Sequence, residues 1–171
     1  VLADLPYPDP DRLVRVVEKN SPTNLWALST ADVTAIREQQ RSFEAWGEAQ
    51  RSEAALAGAG PPERIVVGRV SAGWLEAIGI PVAKGRAIEP SDESAGAPDV
   101  VVVSHALAER VLGGAAGALG RAVTLDGISH TVVGVLPPGR DELGGLTATA
   151  WPALKLPAPV RRGPFWLRGV G

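Results

Sequence analysis

Cysteine is absent from all 171 residues, and so is methionine. The first absence excludes disulfides, thiolate metal sites and cysteine nucleophiles, while leaving the compartment open, because many exported domains manage without disulfides. The second, together with a valine at position 1, leads us to expect a processed or cloned fragment. No stretch approaches the ~20 apolar residues that span a bilayer. The longest aliphatic runs, such as Val100 to Val103, have strand length, and nothing reads as a signal peptide. An excess of positive charge is missing too. The formal net charge is −2, which gives no electrostatic reason to expect nucleic acid or anionic lipid as a partner.

What is present suits one ordinary globular domain or two small lobes, with 45% hydrophobic and 21% charged residues arguing against disorder. The opening Leu5-Pro6-Tyr7-Pro8-Asp9-Pro10-Asp11 is too rich in proline for helix or central strand and reads as an extended lead-in. Leu13 to Val17 give a short strand that ends at Asn20-Ser21-Pro22. Ser29 or Thr30 can cap a helix carrying Val33, Ile36, Gln40 and Phe43 on one face, with Phe43 and Trp46 as core anchors. Strands are expected at about 48–57 and 64–70, and a short helix over 72–78 stopped by Gly79. Asp99 to Val103 reads as a strand covered on both faces, followed by a helix over 105–112. Gly113-Gly114 is expected to stop that helix and open a flexible connector. Ala122 to Val135 with Asp126-Gly127 at its centre is a β-hairpin, since Asp-Gly tolerates the positive φ of a tight turn. From Pro137 onward the chain reads as loop, until Phe165-Trp166-Leu167 opens one more strand.

Chemistry-bearing constellations are few. Ser104-His105 are sequence neighbours without a Gly-x-Ser-x-Gly elbow, so Ser104 reads as the N-cap of the helix behind it. His105 and His130 are far apart in sequence, and a two-histidine site would also need several carboxylates beside it, which argues against a metal site. The glycines of residues 113–120 follow a helix, precede a strand, and lack the Lys-Ser/Thr of a phosphate loop. Asp92 and Glu93 lie in a polar loop and read as solvated surface. No catalytic, cofactor-binding or metal-binding residue is assigned. Of the five tryptophans, Trp26 and Trp151 stand next to loops and are the candidate partner contacts.

The order of motifs is more specific than any one of them. Leu5 to Val14, Arg41-Ser42-Phe43-Glu44, Val70-Ser71, Trp74-Leu75, Ile78-Gly79-Ile80-Pro81, Gly85-Arg86, Asp92-Glu93, Val101 to Ser104, Leu119-Gly120-Arg121, Leu125-Asp126-Gly127 and Thr131 to Pro137 follow one another. In that order, over about residues 2 to 138, they resemble the periplasmic core domain of MacB-like ABC transporter permeases. Ala108 and Leu112 depart from the pattern, standing where that family has aromatics. The resemblance implies an α+β fold: a porter-like α/β lobe with an inserted mostly-β lobe, truncated at its C-terminal side. By that division about 1–50 form the first part of the α/β lobe, about 51–160 the inserted lobe, and 161–171 the start of a return strand.

It also implies an extracytoplasmic position in a bacterial inner-membrane permease and no enzyme activity or cofactor of its own. The implied partners are a second permease subunit, a cytoplasmic ATPase reached through the membrane part, and a periplasmic adaptor. The implied action couples ATP hydrolysis to efflux or extraction of a substrate by mechanical motion. A stand-alone periplasmic binding or adaptor module, and more remotely a small hydrolase using Ser104, are the alternatives.

Overall fold

The computed structural model describes residues 7–21, 24–159 and 163–171. Residues 1–6 of the lead-in, with Pro22 and Arg161-Arg162, lie outside the described residues. The fold is mixed α+β, with one large sheet and few helices. Its strands are β1 (Arg15–Val16), β2 (Glu18–Ser21), β3 (Asn24–Trp26), β4 (Gly47–Ala57), β5 (Glu63–Val70), β6 (Lys84–Gly85) and β7 (Val100–Val103). They continue with β8 (Ala122–Leu125), β9 (Ile128–Val135), β10 (Glu142–Leu143), β11 (Leu146–Thr147), β12 (Ala150–Pro152) and β13 (Arg168–Val170). The α-helices are α1 (Thr30–Gln39), α2 (Trp74–Ala77), α3 (His105–Val111) and α4 (Gly114–Ala118), with 3-10 turns at Pro10–Arg12 and Pro90–Glu93.

The main sheet runs in the order β1-β13-β4-β5-β12-β7-β9-β6. Strand β8 pairs with β9 through the Asp126-Gly127 hairpin and also with the end of β4, Leu56 opposite Leu125. The ladder β4-β5-β12-β7-β9-β8 therefore closes on itself into a six-stranded ring. Closure leaves these strands no free edge within the ring. Its interior is filled by Leu56, Val67, Val101, Val103, Val123, Leu125 and Val132, plugged by Leu107 and Ala108 of α3, Leu112 just after it and Ala118 of α4. The side chains alternate along the strands, so Val100, Val102, Val70 and Trp151 point outward. There they pack with Trp74, Leu75 and Ile78 around α2 and with Leu143 and Leu146 of the β10–β11 hairpin.

Beyond the ring, β4 carries on and pairs through its first residues with β13, which pairs with β1. Helix α1 lies over this part on a small cluster of Leu28, Val33, Leu154 and Leu167. Position 50 falls inside β4, so one unbroken strand belongs to both parts.

Several expectations change. Helix α1 stops at Gln39, leaving Phe43 outside it; Phe43 and Trp46 stack at 5.5 Å and are only half-buried. The stretch after Gly113 is no connector but the short helix α4, whose Ala118 enters the ring core. The proline-rich stretch read as loop holds three short strands, β10 to β12, and the strand expected from Phe165 begins at Arg168. Trp151, a candidate for a partner surface, is instead completely buried in the second position of β12. It fits because Gly68 on the neighbouring strand has no side chain: a Cβ there would stand 2.4 Å from the indole ring. Gly47 serves Trp74 in the same way, since a Cβ would meet that residue's backbone at 2.4 Å.

Candidate functional site

The polar groups the sequence offered for chemistry take structural roles. Ser104 is completely buried, and its hydroxyl accepts the amide of Leu107 at 3.1 Å, capping α3. Replacing Ser104 with alanine is expected to cost about 1 kcal/mol, the value of one N-cap. Urea unfolding measures that cost, and hydrolysis of a p-nitrophenyl ester shows whether the hydroxyl does more; a dead variant of an active parent would restore the hydrolase reading. His130 is buried on β9 opposite Val123, with Nδ1 2.9 Å from the carbonyl of Ile128. Burial lowers its pKa, which the carbonyl contact and the charge of Asp99 oppose without reversing. Among the described residues no group of three or more acidic or histidine side chains is placed to hold a metal ion.

Asp92 and Glu93 do not lie on the solvated surface that their loop suggests. The 3-10 turn directs both inward. Asp92 takes two bonds from Arg86, at 2.6 and 3.1 Å, and caps the turn by accepting the amide of Glu89. Burial pushes this carboxyl up, and the bonds from Arg86 and the Glu89 amide outweigh it, leaving its pKa below the usual range. Glu93 accepts the amide of Ala72 at 2.6 Å and stands 3.0 Å from Arg37.

Arg37 on α1 is the hub of a polar cluster that joins several elements. Its Nε and Nη2 donate to both oxygens of Glu48 at 2.8 and 2.7 Å. The Glu48 side chain is fully buried and also accepts the indole N–H of Trp46. The Glu48 amide donates to Ser71 Oγ at 2.9 Å, and its carbonyl accepts the Ser71 amide at the same distance. Helix α1, strand β4, the loop before α2 and the Pro90–Glu93 turn are thus joined by one guanidinium. The bond to Glu48 raises the Arg37 pKa, against the opposing effect of burial. Sequence inspection missed this cluster, because Arg37 and Glu48 sit on different elements with nothing in their spacing to pair them.

Trp26, the other candidate contact, is on the surface. It is 36% exposed and Leu25 beside it 61%. Its ring meets Phe165 at 4.9 Å between centroids, tilted by 53°. Strand β3 thereby offers two exposed apolar side chains, Leu25 and Trp26, the second held against Phe165.

A ring-closed sheet, the Arg37–Glu48 and Arg86–Asp92 ion pairs beside it and an exposed Trp26 define an α+β domain. The family is shown by sequence: a model of the MacB-like periplasmic core domain matches residues 3–160, and the chain belongs to that family. It is therefore an extracytoplasmic domain of an ABC-type transporter permease. No curated protein matches it in sequence.

Solved structures share the fold. One is a domain of a putative permease from Porphyromonas gingivalis, at TM-score 0.70 and 17% identity, covering 96% of this chain and 76% of that one. Another is the periplasmic region of MacB from Actinobacillus actinomycetemcomitans, at 0.68 and 12%, covering 93% and 73%. A third is the extracellular domain of the noncanonic ABC-type transporter YknZ from Gram-positive bacteria, at 0.59 and 17%, covering 82% and 71%. Among the described residues no helix is long and apolar enough to cross a membrane.

Proposed function

We propose that this domain is a mechanical coupling element, which binds partners and transmits motion without making or breaking bonds. ATP hydrolysis at a cytoplasmic ATPase would move the membrane part of the permease. The domains of two permease subunits would then close and separate, driving efflux or extraction of a substrate. A periplasmic adaptor is a further partner in this reading.

The observation that supports it is the continuity of β4. Its first residues pair with β13, and from Ala49 to Ala57 it belongs to the ring, so force applied near β1 and β13 travels along a backbone ladder into a packed core. Close-packed cores resist deformation and move as bodies, the property a relay needs. In the two-lobe description, the ring is the inserted lobe of about 51–160. Residues about 1–50 and the strand within 161–171 belong to the porter-like lobe.

Trp26 is the proposed contact to a partner subunit. Because the chain has no cysteine, Trp26→Cys can be labelled alone in a full-length permease cleared of other thiols. Maleimide labelling is expected to slow several-fold in one of two states, nucleotide-free or trapped with ATP and vanadate. Equal rates in both states would remove Trp26 from any moving contact. Failure of the introduced thiol to cross-link to another subunit in either state would do the same.

A further inference from the structure

Three arginines on the outward face of the sheet have no acidic partner among the described residues. Arg15 is on β1, Arg168 on β13 and Arg51 on β4, and none takes part in a salt bridge among the described residues, although Arg12, Arg37, Arg64, Arg86 and Arg110 all do. The strand register aligns them. Arg15 stands opposite Val170, two residues from Arg168, and Arg168 stands opposite Ala49, two residues from Arg51. Each step crosses one strand and advances two residues, so the three lie on a diagonal. With strands ~4.8 Å apart and two residues rising ~6.7 Å, neighbouring Cα atoms are ~8 Å apart.

Arg168 donates one N–H to the carbonyl of Gly145 at 2.6 Å, which fixes its guanidinium against the β10–β11 hairpin. Burial lowers its pKa, and the charges of Arg15 and Arg51 add to the effect, so the three cations feel one another. Beside them runs a groove of about 650 Å³, where Arg51 and Arg168 meet Val66, Leu146, Thr147 and Thr149. Asp141 also lines it. Glu53, two residues beyond Arg51, is already held by Arg64 at 2.7 Å.

We propose that this arginine diagonal and groove are a docking site for an extended acidic segment of a partner protein, with Asp or Glu at alternate positions. An extended chain presents alternate side chains ~6.7 Å apart on one face, close to the arginine step. The guanidinium fork suits carboxylates in pairwise contact. A single phosphate would satisfy one or two of the three cations, whereas a row of carboxylates matches all of them. The groove supplies apolar floor at Val66 and Leu146 for the intervening residues. The site is independent of the coupling reading and stands or falls separately.

A fluorescein-labelled peptide of alternating glutamate and threonine tests it by anisotropy with the 171-residue chain. Since the chain itself carries net charge −2, general electrostatics would repel such a probe. Binding is expected at low salt and should weaken toward physiological salt. Arg15→Glu and Arg51→Glu, both exposed, should each weaken it by roughly tenfold without moving the urea midpoint. A lysine–threonine peptide should not bind. Failure of the acidic peptide to bind overturns the proposal, as does binding unchanged in both variants. Phosphatidylglycerol vesicles bound at least as tightly as the peptide would overturn it too, by assigning the patch to lipid.

Discussion

Replacing Trp151 with alanine is expected to cost about 3–5 kcal/mol, the range for deleting a large buried aromatic. That is a large share of the ~5–15 kcal/mol that stabilises a typical domain. The indole is wholly excluded from solvent, seated over Gly68 and bordered by Leu146. Its strand, β12, joins two halves of the ring, parallel to β5 on one side and antiparallel to β7 on the other. A cavity here loosens the outer core and the closure of the ring together. Trp151→Phe should be far milder, at about 1–2 kcal/mol. The phenyl ring keeps most of the contact, and the buried indole N–H, which has no hydrogen-bond partner among the described residues, is removed along with its desolvation penalty. Urea unfolding of both variants, with an unchanged slope, measures the difference. If the alanine variant unfolds within about 0.5 kcal/mol of the parent, as most surface substitutions do, Trp151 belongs on a surface after all.

Trp151 also shows where the sequence stops being legible. It precedes Pro152 in a stretch dense with proline and glycine, and local chemistry there argues for loop. The strand exists because distant partners supply its ladder, and Pro152 is tolerated at its last position, opposite Val101. Local signals fared better where the chain determines its own geometry. Asp126 and Gly127 adopt φ of 49° and 83°, as a tight hairpin turn demands. Val100 to Val103 are buried on both faces, and the hydroxyl of Ser104 caps the helix that follows. The closure of the ring depends on Leu56 meeting Leu125 across 69 residues of sequence, which no periodicity encodes. The same holds for the candidate sites. Standing next to a loop did not separate Trp26, which is 36% exposed, from Trp151, which is buried, and the arginine diagonal needs the register of three strands, two of them only two or three residues long.

The Arg37 cluster should reveal itself by an asymmetry between its two ends. Arg37→Ala is expected to cost about 3–5 kcal/mol, because it strands a fully buried carboxylate with the indole of Trp46 as its remaining side-chain donor. Glu48→Gln keeps an acceptor for both Arg37 and Trp46, and the guanidinium it leaves is 37% exposed and still 3.0 Å from Glu93. Water and Glu93 can share that charge, so the expected loss is about 1–2 kcal/mol. The double variant Arg37→Ala/Glu48→Gln should then be less damaging than the sum of the two, since the stranded charge is gone. Hydrogen exchange gives the local readout: amides of α1 should open faster in Arg37→Ala while those of β7 in the ring keep their protection. Equal losses in the two single variants, or strict additivity in the double, would mean that Arg37 is merely packed against Glu48. Faster exchange spread evenly over α1 and β7 would mean that the helix and the ring open as one unit, so that the guanidinium is no separate latch between them.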